Sequence, residues 1–286
     1  MTEAKDATLS KAVSRDGTEI GYFTTGEGPP LVLVHGALGD HTRWRVLRPY
    51  LEPHFTVHAM DRRGRGASGD HPDYDPAREF EDVGAVVDAV ADAAGSPVAV
   101  YGNSIGASFA VGSATLTDNI RRLALFEPPA GPLAKLKPPG LQERLDALLA
   151  AGDREGILEA AYREIAGLSD AQIDELRAQP EWPNRLTAAH TVPRELATPF
   201  ERLFDPEQAA QVAAPALVLV GSDTPEAFQA SAEVVAAALP DARVAVLEGQ
   251  GHGAEMFAPG VVAEAMLDFL VGRALPNGEG RARARR

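Results

Sequence analysis

The feature that most constrains this chain is a recurring kind of apolar run. PPLVLV (29–34), FTVHAM (55–60), PVAVYG (97–102), LALF (123–126), PALVLVG (215–221) and ARVAVL (242–247) are each only a few residues long. Most lack the in-out alternation of a strand with one wet face, so they read as strands buried on both sides. Between them lie stretches of helical spacing, such as DHTRWRVLRPYL (40–51), PAREFEDVGAVVDAVADAA (76–94), EAFQASAEVVAAAL (226–239) and GVVAEAMLDFLVG (260–272). Strand and helix in alternation predict an α/β fold, a mostly parallel sheet with helices on both faces. Only KAVSRDGTEIGYF (11–23) departs from the rhythm: two extended pieces around Asp16-Gly17 predict an antiparallel hairpin.

The rhythm stops after Glu127. EPPAGPLAKLKPPG is proline-rich, and from about 141 to 210 amphipathic helices follow one another with no strand-like run. The expected organisation is therefore a core domain over 1–130 and 211–275 and a helical cap over 131–210. The basic end, NGEGRARARR, lacks an apolar face and is expected to be disordered over 276–286.

Composition narrows the chemistry. With no cysteine, the chain has no disulfide framework, thiolate metal site or Cys nucleophile. A net charge of −14 argues against nucleic acid as a partner. The start, MTEAKDATLS, has no basic end followed by an apolar block, and no run approaches the roughly 20 apolar residues of a membrane span. These observations predict a cytoplasmic protein without a membrane partner; a homodimer is left open. Neither HExxH nor a ligand-spaced His/Asp cluster is present, so no metal and no cofactor are expected.

VAVYGNSIGAS (98–108) sets Ser104 between Gly102 and Gly106. Such a serine can be an ordinary helix N-cap. It can also be a nucleophile at the tip of a tight strand-to-helix turn, where flanking glycines let backbones pass closely. Four stretches in order decide between these readings: LVLVHGALGD, MDRRGRGASGD, YGNSIGA and LEGQGHGAE. Over residues 9 to 273 the chain resembles the α/β-hydrolase fold. The resemblance implies an eight-stranded sheet, a cap inserted after strand six, and Ser104 as the nucleophile of a Ser-His-acid triad.

A serine hydroxyl needs a base within hydrogen-bonding reach. Of seven histidines, His252 fits best: it lies just past the last strand in a loop freed by Gly249, Gly251 and Gly253. His35, before Gly36, reads as loop scaffolding. The orienting carboxylate has two candidates. In most members of the superfamily it follows strand seven in Gly-x-x-Asp, but here Thr224 occupies that slot and Asp223 falls one residue short. The alternative placement, after strand six as in zearalenone lactonases, holds Glu127 in LFEPP. The register favours Glu127, with Asp223 as the alternative acid. Backbone N–H groups of Ala37 and Ile105 are expected to form the oxyanion hole. Arg62, Arg63 and Arg65 read as a structural turn behind the site, and Trp182 in the cap as a substrate contact.

A serine excludes the aspartate-based chemistry of haloalkane dehalogenases and epoxide hydrolases. The expected activity is hydrolysis of a carboxylic ester or lactone of a small to bulky apolar molecule through an acyl-enzyme. C–C bond hydrolysis or perhydrolysis on the same triad, and a non-catalytic ligand-binding member of the fold, are the alternatives.

Overall fold

Strand β1 (Thr8–Val13) turns through Asp16-Gly17 into β2 (Glu19–Gly26), in register from Thr8↔Thr24 to Val13↔Glu19 in the computed structural model, which describes residues 7–136, 138–272 and 281–282. The turn closes as predicted: Gly17 takes φ +87°, and Asp16 Oδ1 accepts the Thr18 amide at 3.0 Å. The remaining strands are β3 (Pro30–Val34), β4 (Thr56–Met60), β5 (Val98–Asn103), β6 (Ile120–Phe126), β7 (Ala216–Gly221), β8 (Ala242–Leu247) and a two-residue β9 (Arg281–Ala282). Their order is β1-β2-β4-β3-β5-β6-β7-β8-β9, antiparallel where β2 meets β1 and β4 and parallel elsewhere. Of the expected tail over 276–286, Arg281–Ala282 lie parallel to β8; the rest falls outside the described residues.

The uninterrupted apolar runs are explained by two cores. Successive side chains point to opposite faces of a strand, so Val32 and Val34 join the first cluster while Leu31 and Leu33 join the second. The second cluster is covered by α1 (Arg48–Leu51) and, near the C-terminus, by α13 (Pro259–Val271). The first lies under α2 (Pro76–Ala94), α3 (Ile105–Ser113) and α11 (Glu226–Ala238).

Between β6 and β7 run α4 (Leu141–Ala151), α5 (Arg154–Glu164), α6 (Asp170–Arg177), α7 (Trp182–Ala188), α8 (Val192–Leu196), α9 (Phe200–Leu203) and α10 (Pro206–Ala209). A third cluster holds α4 to α8 together through Leu145, Ile157, Tyr162, Leu176, Trp182 and Val192, and it rests on Leu38, Met256 and Phe257 of the core loops. Leu203, Phe204, Ala209 and Val212 instead join the sheet-side cluster. Physically, the cap's own core ends near Val192, and the segment from Phe200 onward packs as part of the α/β body. α12 (Ala254–Phe257) is a single turn after β8. Among the described residues no helix is long and apolar enough to cross a membrane.

Candidate active site

Ser104 leaves β5 at φ 53°, ψ −129°, and its side chain makes no capping hydrogen bond to α3. An N-cap serine accepts a bond from the first helical turn, so the capping reading has no support. Positive φ is costly for a residue with a Cβ, and among described non-glycine residues only Ser104 and Glu127 (φ 48°) show it. The flanking glycines permit the turn. A Cβ on Gly102 would lie 2.6 Å from Ala107 Cα, and one on Gly106 would lie 2.5 Å from the carbonyl oxygens of Val34 and His35.

Glu127 sits on the adjacent strand end. Its N–H donates to the Leu219 carbonyl at 2.9 Å, and Ser104 N–H donates to the neighbouring Phe126 carbonyl at 2.8 Å, tying the two loops. The Glu127 carboxylate is fully buried, with Oε1 accepting the Gly221 amide at 2.8 Å and Oε2 lying 2.5 Å from His252 Nδ1. The imidazole is flanked by Phe228 (5.0 Å between ring centroids) and Phe126 (6.3 Å). Bonding through Nδ1 leaves Nε2 available to take a proton. Asp223 is exposed, and its Oδ1 accepts the Ser222 hydroxyl instead. Thr224, in the usual acid slot, closes its own turn by donating to the Gly221 carbonyl at 2.8 Å. The structure therefore brings His252 together with Glu127 and not with Asp223.

The two expected oxyanion donors are fixed differently. Ile105 opens α3, where N–H groups have no intrahelical acceptor. Ala37 is fixed from behind. The Gly36 carbonyl, on the same peptide plane as the Ala37 N–H, accepts from His35 Nδ1 at 2.8 Å and from Arg62 Nη1 at 3.2 Å. Because C=O and N–H of a trans peptide point in opposite directions, the Ala37 N–H points away from that buried group. Burial, then Arg62 and Arg65, hold the His35 pKa well below its usual value. A neutral ring suits its two bonds, since Nε2 accepts the Arg62 amide at 3.1 Å.

Arg62, Arg63 and Arg65 are all buried and matched by carboxylates. Arg63 forks onto Asp82 at 2.6 and 2.7 Å, and Arg62 onto Glu79 at 2.6 and 2.9 Å. Arg62 and Arg65 also share Glu195 of α8, at 2.5 and 2.6 Å. The sequence reading missed Glu79, Asp82 and Glu195. The first two are three residues apart on a helix that otherwise buries valines, a usable signal; Glu195 had none.

Trp182 opens α7 in the cap. It is buried inside the cap cluster, stacked on Tyr162 at 6.4 Å with Arg177 5.7 Å over its ring. That environment gives it a packing role within the cap. A cavity of about 360 Å³ lies between the far end of α3 and α9, lined by Phe80, Val111, Leu116, Leu203 and Phe204. Asp40, His41 and Asp61 bring one potential metal-ligand atom each within 4.8 Å of the others. Loop hydrogen bonds already occupy them: Asp61 accepts the His41 and Ala67 amides and His41 Nδ1, and Asp40 accepts the Thr42 amide.

A parallel sheet with a strained serine after β5 and a carboxylate–imidazole pair at its edge defines a hydrolase, and the chain belongs to the alpha/beta hydrolase family, whose model matches residues 31–265. A solved alpha/beta hydrolase from Sphaerobacter thermophilus is 37% identical, with a TM-score of 0.75 over 91% of this chain and 99% of that one. An (E)-2-((N-methylformamido)methylene)succinate hydrolase of Acinetobacter baylyi is 24% identical over 87% of this chain and 93% of its own length. A 2-hydroxy-6-oxo-6-(2'-aminophenyl)hexa-2,4-dienoic acid hydrolase of Metapseudomonas resinovorans is 24% identical over 95% and 94%.

Proposed function

We propose that this chain is a serine hydrolase that cleaves a carboxylic ester or lactone through an acyl-enzyme. The observation that carries the reading is the bond between the buried Glu127 and the half-buried His252, beside a serine held at positive φ on the neighbouring strand end. In this reading His252 Nε2 takes the Ser104 proton as Oγ attacks the carbonyl, and Glu127 stabilises the imidazolium. The oxyanion forms against the amides of Ala37 and Ile105. The imidazolium returns its proton to the leaving alcohol, and water, activated by the same ring, releases the acid.

One observation favours a second reading of the substrate. Arg185 of the cap is buried and, among the described residues, pairs with no carboxylate. Its Nη1 meets the Tyr162 hydroxyl at 2.9 Å, which donates to the Leu38 carbonyl at 3.1 Å. A buried cation without an anion is costly, so a substrate bearing its own carboxylate would suit this position. The relatives named for succinate and dienoic acid hydrolysis support that reading, including C–C cleavage on the same triad.

The test is labelling by a fluorophosphonate probe, followed by turnover of p-nitrophenyl esters with and without a terminal carboxylate. Ser104→Ala should abolish labelling and lower kcat by roughly 10³-fold or more, with circular dichroism unchanged. Labelling that survives in Ser104→Ala would remove the proposed nucleophile. A wild-type chain that neither labels nor turns over would favour the non-catalytic alternative.

A further inference from the structure

We propose that Glu195 is a positioning residue that makes the oxyanion donor at Ala37 depend on the seating of the cap. The inference rests on the serine-hydrolase reading above and concerns a residue outside its triad. Glu195 belongs to α8, in the cap, yet its carboxylate is fully buried among core residues. One oxygen, Oε1, accepts from both Arg62 Nη2 (2.5 Å) and Arg65 Nη2 (2.6 Å). The other, Oε2, is buried without a partner among the described residues, so the link runs through a single atom.

Both arginines hold the loop that carries the donor. Arg62 Nη1 donates to the Gly36 carbonyl at 3.2 Å, and the same Arg65 Nη2 that binds Glu195 donates to the Ala37 carbonyl at 3.0 Å. These carbonyls belong to the two peptides that flank Ala37, so together they set the direction of its N–H. Charge strengthens the dependence. Arg62 and Arg65 face Glu79 and Glu195, all four side chains being inaccessible to solvent. Lifting α8 away removes one carboxylate and leaves a buried guanidinium uncompensated, which is strongly unfavourable. The arginines then either move toward water or draw the loop with them. In both cases the Ala37 donor leaves its position, so hydrolysis is confined to the state in which the cap covers the core.

The experiment compares Glu195→Gln with Arg194→Ala, using an activated ester and the matching thionoester. Arg194 is the next residue of α8 and also links cap to core, through Asp70 at 2.8 and 2.9 Å, but at the surface. Sulfur accepts hydrogen bonds poorly, so the ester-to-thionoester ratio of kcat reports the oxyanion hole rather than general folding, and a lost donor is worth on the order of 10²–10³ in kcat. Glu195→Gln should lower kcat on the ester by about 30-fold or more, with KM within about threefold, and lower the ratio by at least about tenfold. Arg194→Ala should leave both substrates within about twofold of wild type. Should Glu195→Gln not fold, Glu195→Asp keeps the charge, withdraws the oxygen by one methylene, and should also lower the ratio. A ratio unchanged from wild type in whichever variant folds overturns the proposal, whether or not the ester rate falls. Activity retained by Ser104→Ala would instead overturn the hydrolase reading beneath it.

Discussion

At the scale of single residues, burial decides which ionisable groups tune stability. His35 is enclosed and held neutral by burial and two guanidinium groups, and burial lowers His58 to about 4. A histidine whose folded pKa lies below its unfolded value binds fewer protons when folded. Stability therefore rises with pH between the two values and is lost as pH falls below about 6.5. At pH 5.5 the His58 contribution alone amounts to roughly 1 kcal/mol of lost stability relative to neutral pH. Urea midpoints between pH 5.5 and 7.5 should fall on acidification in wild type, and His58→Gln should flatten that slope. An unchanged slope in the variant would show that His58 titrates as it does in the unfolded chain.

At the scale of elements, glycines separate turns that must be tight from helices that merely tolerate them. Gly106 lies where α3 crosses the end of β3, and its added Cβ would meet two main-chain oxygens that cannot yield. Gly106→Ala should cost about 1–3 kcal/mol by overpacking. Gly84, inside α2, would meet nothing within 4 Å. Gly84→Ala should stabilise by about 0.5–1 kcal/mol through helix propensity. Thermal melts of the two variants should move in opposite directions, and a destabilised Gly84→Ala would contradict the helix-interior account. Such contrasts also mark what was legible. The buried runs were readable because β5 and β7 have cores on both faces, and Glu127 because LALF ends immediately before it. The cap's inner boundary, the packing of Trp182 and the Glu195 link were not readable. Each depends on which helix meets which, and local periodicity carries no record of that.

At the scale of the whole molecule, the sheet acts as a collecting frame. Parallel strands β5, β6 and β8 end on one edge, so their loops deliver Ser104, Glu127 and His252 to one region although the residues are far apart in sequence. β7, lying between β6 and β8, contributes a backbone amide from Gly221 to Glu127, while Thr224 and Asp223 bond locally. The central claim is that this chain places its orienting acid after β6 rather than after β7. The most direct test is kcat on one activated ester for Glu127→Gln and Asp223→Asn, with circular dichroism to confirm folding. The account predicts a loss of up to about 10⁴-fold for Glu127→Gln, because the amide upsets the tautomer and leaves the imidazolium unsupported. It predicts a loss of tenfold or less for Asp223→Asn, whose carboxylate hydrogen-bonds, among the described residues, to Ser222 and not to His252. A nearly active Glu127→Gln beside a collapsed Asp223→Asn would contradict it.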